Sequence, residues 1–102
     1  MSFFDIRDLN LEEESFKELL NTGNFKIERI VSKGHKSPDG FWYDQNENEW
    51  VLLTQGTAEI EFEDETVNLK RGDYVLIVKH RKHRVISTSR TPEAIWLAVF
   101  FS

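Results

Sequence analysis

Glu49 heads the run Glu49-Trp50-Val51-Leu52-Leu53-Thr54-Gln55-Gly56, a strand-like stretch that otherwise reads as buried. Residues of one parity share a strand face, so Glu49 points with Val51 and Leu53. If that face is the core, an ionised carboxylate enters it, and burying one without a partner costs several kcal/mol or more. A metal ion or a cationic ligand would meet that need. The residues just before it, Gly40-Phe41-Trp42-Tyr43-Asp44-Gln45-Asn46-Glu47-Asn48, add aromatic, acid and amide groups. The chain has no Cys, so a metal here would rest on His, carboxylate, amide or phenol groups, a set that suits Fe, Mn, Ni, Zn or Cu.

Composition narrows the classes further. A length of 102 residues suits one domain, with 39% hydrophobic and 30% charged residues as in ordinary soluble proteins. A net charge of −5 argues against a nucleic-acid binder, since neutralising phosphates needs surplus Lys and Arg. No apolar run approaches a membrane span and no signal pattern opens the chain, so a cytoplasmic protein away from membranes is expected. The five glycines are scattered through turns rather than gathered in a phosphate-cradling loop. There is no Cys nucleophile and no Ser in a strand-to-helix elbow.

The elements that must position Glu49 are mostly β. Residues 1–10 form an arm with apolar anchors Phe3, Phe4, Ile6 and Leu9, suited to crossing a sheet or a second subunit. Asn10 followed by Glu12, Glu13 and Glu14 reads as a capped helix start, with an apolar stripe at Leu11, Phe16, Leu19 and Leu20 and a stop at Asn21-Thr22-Gly23. One short N-terminal helix is therefore expected, within an arm-and-helix region over 1–23. From 24 to 102 the pattern is strands and turns. Phe25 to Ile30 alternates, Ser32 to Gly40 is a loop carrying His35, and 57–70 is a hairpin around Glu63-Asp64-Glu65. Tyr74 to Lys79, His83 to Thr88 and Ile95 to Phe101 complete seven to nine strands, the number of a sandwich or barrel. Lys79-His80-Arg81-Lys82 is a basic loop whose charge could draw an anionic ligand to a pocket rim.

The spacing of four residues resembles the two motifs of the cupin family, small jelly-roll β-barrels. Its first motif has a His-any-His pair, three or four residues, Glu, six residues and Gly; Glu49 and Gly56 occupy the last two places. Its second has Gly, five residues, Pro, any, Gly, two residues, His, three residues and Asn. Gly72 and His83 match it, while Val78, His80 and Ser87 stand at the Pro, second Gly and Asn places. The resemblance covers residues 25–101 and is nearest to short single-domain cupins of the cupin 2 type. It implies an all-β jelly-roll barrel with Glu49 and His83 as the core of a metal site. Counting back three residues from Glu49 puts Tyr43 and Gln45 where the paired His would stand; counting back four puts Trp42 and Asp44 there. The first register keeps two oxygen-bearing groups on one face and is preferred, with His35 as a further candidate ligand. Glu49 has an equally weighted alternative as a structural acid paired with His83 or an Arg.

Two functions follow from the resemblance. One is a metal-dependent enzyme of dioxygenase, isomerase, lyase or decarboxylase type, with a divalent Fe, Mn, Ni or Zn ion on Glu49, His83, Gln45, Tyr43 or His35 and Tyr43 as acid or base. The alternative is a non-catalytic module holding a sugar-like or carboxylate ligand without metal, its mouth lined by Trp42 and Tyr43. A homodimer is expected, formed through sheet edges with help from the arm and the final strand.

Overall fold

Alternation of apolar and polar residues, broken by glycine turns, divides the chain into short strands joined by turns and loops. A computed structural model describes residues 1–102, with strands β1 (Ser15–Asn21), β2 (Phe25–Ser32), β3 (Asn48–Gln55), β4 (Thr57–Phe62), β5 (Thr66–Lys70), β6 (Tyr74–Ile77), β7 (His83–Thr88) and β8 (Ala94–Phe101). They form two antiparallel sheets, one ordered β1-β2-β8-β3-β6 and the other β5-β4-β7. The all-β expectation holds, and the layout is that of a jelly roll whose two sheets face each other without closing into a barrel. No helix is long and apolar enough to cross a membrane.

The expected N-terminal helix is not there. Residues 15–21 instead pair with β2, from Ser15 opposite Val31 to Asn21 opposite Lys26, with a bulge between Glu18 and Leu20. The apolar residues Phe16, Leu19 and Leu20 fit a helical stripe and an irregular edge strand equally well. A lone helix of about ten residues is marginal in water, so pairing with β2 decides. Asn21-Thr22-Gly23, taken as a helix stop, is the hairpin turn: the Asn21 side chain accepts from Gly23 N (3.0 Å), and Gly23 takes φ +88°. Left-handed glycine serves both devices, which is why the two read alike. Asn10 does accept from the backbone, but from Glu12 N in a turn (3.1 Å) rather than as a helix cap.

The inner faces meet in one core of Val51, Leu53, Ala58, Ile60, Phe62, Leu69, Ile77, Ala94, Trp96 and Ala98. Arg29, 3% exposed on the outer face of β2, donates through Nη1 to the carbonyls of Phe3 (3.1 Å) and Asp5 (3.0 Å) and ties the N-terminal arm down. The final strand β8 lies in the middle of its sheet, between β2 and β3, so it cannot offer an edge to a second copy.

Candidate functional site

Glu49 and Val51 do point into the core, as parity requires, and Glu49 is only 9% exposed. The inner faces of β2, β3, β4, β6, β7 and β8 leave a cavity of about 120 Å³ near that end of the sandwich, with Glu49, His83, Gln45 and Tyr43 among its walls. The rest of the wall is mainly apolar and includes Phe16, Ile30, Trp96 and Phe100.

Two glycines set the frame. Gly56 turns β3 into β4 at φ +82°, and a Cβ there would lie 2.5 Å from Ser89 Oγ and 2.9 Å from both Ala94 Cα and the Glu93 carbonyl oxygen. No other residue fits. Gly72 makes the β5–β6 turn at φ +93°. His80 occupies the motif's second glycine place and keeps a left-handed φ of 65°. It is more than the solvated residue of a basic loop: its backbone N donates to the Gln45 carbonyl (2.8 Å) and its Nδ1 pairs with Asp44 (2.8 Å). Tyr43 and His83 exchange backbone hydrogen bonds of 2.8 and 3.1 Å. The segment 43–45 is thus pinned across the mouth of the cavity, with an isolated bridge between Tyr43 and His83.

His83, 5% exposed, uses Nδ1 to donate to the Arg81 carbonyl (3.0 Å). A carbonyl only accepts, so Nδ1 carries a ring hydrogen, and in the neutral tautomer that bond selects, Nε2 faces the cavity as an acceptor. Gln45 Nε2 donates to Glu49 Oε1 (3.1 Å) and lies 3.4 Å from His83 Nε2, while those two acceptors are 3.9 Å apart. One amide nitrogen therefore serves both. Burial pushes the Glu49 carboxyl above its ordinary value, an effect that the Gln45 bond and the nearby His83 reduce but do not cancel. Tyr43 stacks on His83 at 5.5 Å, and burial, with the charges of Glu14 and Glu49, raises its phenol, so it stays a neutral hydrogen-bond donor.

Two expected site residues lie elsewhere. His35 accepts from Lys33 N through Nδ1 (2.8 Å) and donates through Nε2 to the Glu12 carbonyl (3.1 Å), which uses both ring nitrogens on local backbone. Trp42 is not in the cavity wall; the Arg84 guanidinium covers its ring at 5.2 Å. The Lys and Arg side chains of the basic loop do not line the cavity either. Arg81 pairs with Asp64 (3.3 Å) and Glu65 (3.0 Å), and Arg84 with Glu61 (2.7 Å), on the outside of the β4–β5 hairpin.

Glu14, Phe16 and Glu28 were missed. Glu28 shares its face of β2 with Ile30, the same parity signal that exposed Glu49. Glu14 and Phe16 were hidden by the helical reading of their segment.

A divalent metal fits this donor set poorly. No three His, Cys, Asp or Glu side chains converge anywhere in the chain. Glu49's cross-strand neighbours on the inner face are Ile77 and Phe100, both apolar, so β6 and β8 supply no further donor. Gln45 turns the N–H end of its amide, which repels a cation, toward both Glu49 and His83.

None of the curated protein sequences compared matches the chain. Among solved structures, one from Ralstonia eutropha JMP134, named a "putative mannose-6-phosphate isomerase", is 36% identical, with a TM-score of 0.94 over 100% of this chain and 96% of that one. A cupin superfamily protein from Desulfitobacterium hafniense DCB-2 is 16% identical (TM-score 0.77; 92% and 82% covered). A cupin-2 domain containing protein from Shewanella frigidimarina NCIMB 400 is 17% identical (TM-score 0.68; 86% and 80% covered). These last two are alike in fold alone. The family model for the cupin domain, Cupin_2, matches residues 29–100, which hold Glu49, Gly56, Gly72 and His83 in their motif places, and the chain belongs to that family.

Proposed function

We propose that the chain binds a small organic molecule in the cavity between its sheets, holding one polar end of it on Glu49, His83, Gln45 and Tyr43 without the help of a metal ion. The observation that carries this reading is the convergence of Glu49 and His83 on the Gln45 amide nitrogen at the polar end of an otherwise apolar cavity. Pockets of this make-up, an apolar body with a few placed polar groups, suit small molecules. The donor set argues against the metal-dependent enzyme. The Ralstonia relative's name suggests a phosphosugar, but a phosphate needs cationic partners, and neither Lys nor Arg lines this cavity.

The test is side-chain NMR of the Gln45 amide and the Trp96 indole N–H. Neutral amphiphiles such as n-butanol and butyramide are expected to shift both signals saturably. Zn, Mn, Ni and Fe(II) salts should leave the protein without a stoichiometric ion. A tightly held ion that is lost in both Glu49→Ala and His83→Ala would replace this reading with a metal centre.

We also propose that the chain pairs with a second copy through the outer face of the five-stranded sheet rather than through an edge. Leu20, Ile27, Val99, Trp50 and Leu76 lie in one rung across all five strands, and every one is apolar. Leu20 (47%), Leu76 (48%) and the neighbouring Tyr74 (64%) are left exposed. Sedimentation of Leu76→Glu should show monomer where the parent shows dimer; an unchanged mass would refute it.

A further inference from the structure

We infer that the polar end of the cavity is built to receive the ammonium group of a small organic cation, which takes the place that the Gln45 amide now fills. This rests on the ligand-binding reading above and names the class of ligand.

The first observation is the pair of acceptors. Glu49 Oε1 and His83 Nε2, both on buried side chains, stand 3.9 Å apart, and both turn to a single nitrogen, Gln45 Nε2, at 3.1 and 3.4 Å. What those two groups jointly recognise is a nitrogen bearing at least two hydrogens. The amide supplies one from the chain itself, tethered and neutral. A primary ammonium offers three hydrogens and a full charge, and so satisfies the same acceptors more strongly.

The charge around the cavity is the second observation. Three carboxylates line it and no Lys or Arg does. Glu28 is compensated by Lys26 (3.2 Å) just outside the wall. Glu14 and Glu49 are not: the Ser32 hydroxyl donates to Glu14, and the Gln45 amide donates to Glu49. Neither carboxylate forms a salt bridge with a Lys or Arg. Two carboxylates without a cationic partner, facing one low-dielectric space, attract a cation and repel an anion.

The walls complete the specificity. Phe16, Tyr43, Trp96 and Phe100 border the cavity and present aromatic surface to an apolar body, with their faces favouring positive charge. An alkyl- or arylalkyl-ammonium ion matches both ends. A sugar phosphate matches neither, and an alkyl carboxylate fails at the polar end.

Three isosteric probes decide it: n-butylammonium, n-butanol and butyrate, titrated into the full chain at pH 7.5 and read on the Gln45 amide and Trp96 indole signals. Butylammonium should bind at least tenfold more tightly than butanol, and butyrate more weakly than either. Glu49→Gln should remove most of that tenfold preference, and Glu14→Gln, at a less buried carboxylate, should reduce it severalfold. If butanol or butyrate binds as tightly as butylammonium, the ammonium inference fails while the cavity remains a ligand site. If none of the three shifts either signal, the ligand-binding reading falls with it.

Discussion

Replacing Glu49 by Gln should stabilise the protein at neutral pH and do nothing for it in acid. Taking a carboxylate out of water costs several kcal/mol even after relaxation. At Glu49 this cost applies almost in full, since the residue is 9% exposed. The charge-assisted bond from Gln45 Nε2 at 3.1 Å returns about 1.5–3 kcal/mol, and His83 at 3.9 Å adds some attraction. A glutamine keeps its own oxygen as acceptor for Gln45, a neutral bond worth about 1 kcal/mol, and has no charge to desolvate. The balance favours Glu49→Gln by about 1–2 kcal/mol at pH 7–8. For a chain of this size that is a Tm gain of about 5–10 °C. The sign with pH follows from linkage. Burial raises the Glu49 carboxyl above its ordinary value of 4.5, so between that value and the folded one the native state binds more protons than the unfolded chain. Native stability therefore falls as pH rises through this window, and below it the carboxyl is protonated in both states and costs little. Calorimetric melts of both proteins at unit steps from pH 4 to 8 read the effect as a difference, in which their shared carboxylates cancel. A gap near zero at pH 4 that opens above it is expected. A variant that melts at or below the parent at pH 8, or a gap that is the same at both ends, would refute the burial argument.

Gln45→Leu removes the one donor that serves Glu49 and His83, and should cost about 2–3 kcal/mol in chemical denaturation; a neutral outcome would mean another donor reaches them. Gly56→Ala must place a methyl 2.5 Å from Ser89 Oγ at φ +82° and should lower the Tm by well over 10 °C. Gly23→Ala has a similar φ of +88° but open space, and should cost only about 1 kcal/mol, so equal losses would show that backbone strain alone sets the effect. Phe100→His would put a third donor beside Glu49 across the β3–β8 pair, and should create Zn or Ni binding that the parent lacks, measurable by calorimetry and abolished by His83→Ala.

Much of the frame was legible because it is local. The alternation from Glu49 to Leu53 gave its inward face, the acidic turn marked the 57–70 hairpin, and the final strand was placed within a residue of its start. Gly56 and Gly72 were identified by spacing, and their positive φ angles supply the reason that spacing exists. Residues 15–21 were not legible, since Phe16, Leu19 and Leu20 satisfy two periodicities and only β2 breaks the tie. His35 and Trp42 carried suitable groups for a site, yet a local turn absorbed the first and Arg84 covered the second.

The amino-acid sequence by itself determined that Glu49, on an inward strand face, needs a companion, while His83 as that companion was implied by the resemblance to the two cupin motifs. Parity and turn spacing are properties of neighbouring residues, so they can be read along the chain. Tertiary structure alone decided what kind of companionship this is. It turned the donor end of Gln45 toward both acceptors, set Ile77 and Phe100 where further donors would have stood, and faced Arg81 and Arg84 outward. Those facts depend on register between strands far apart in sequence, where a shift of one residue reverses every side chain.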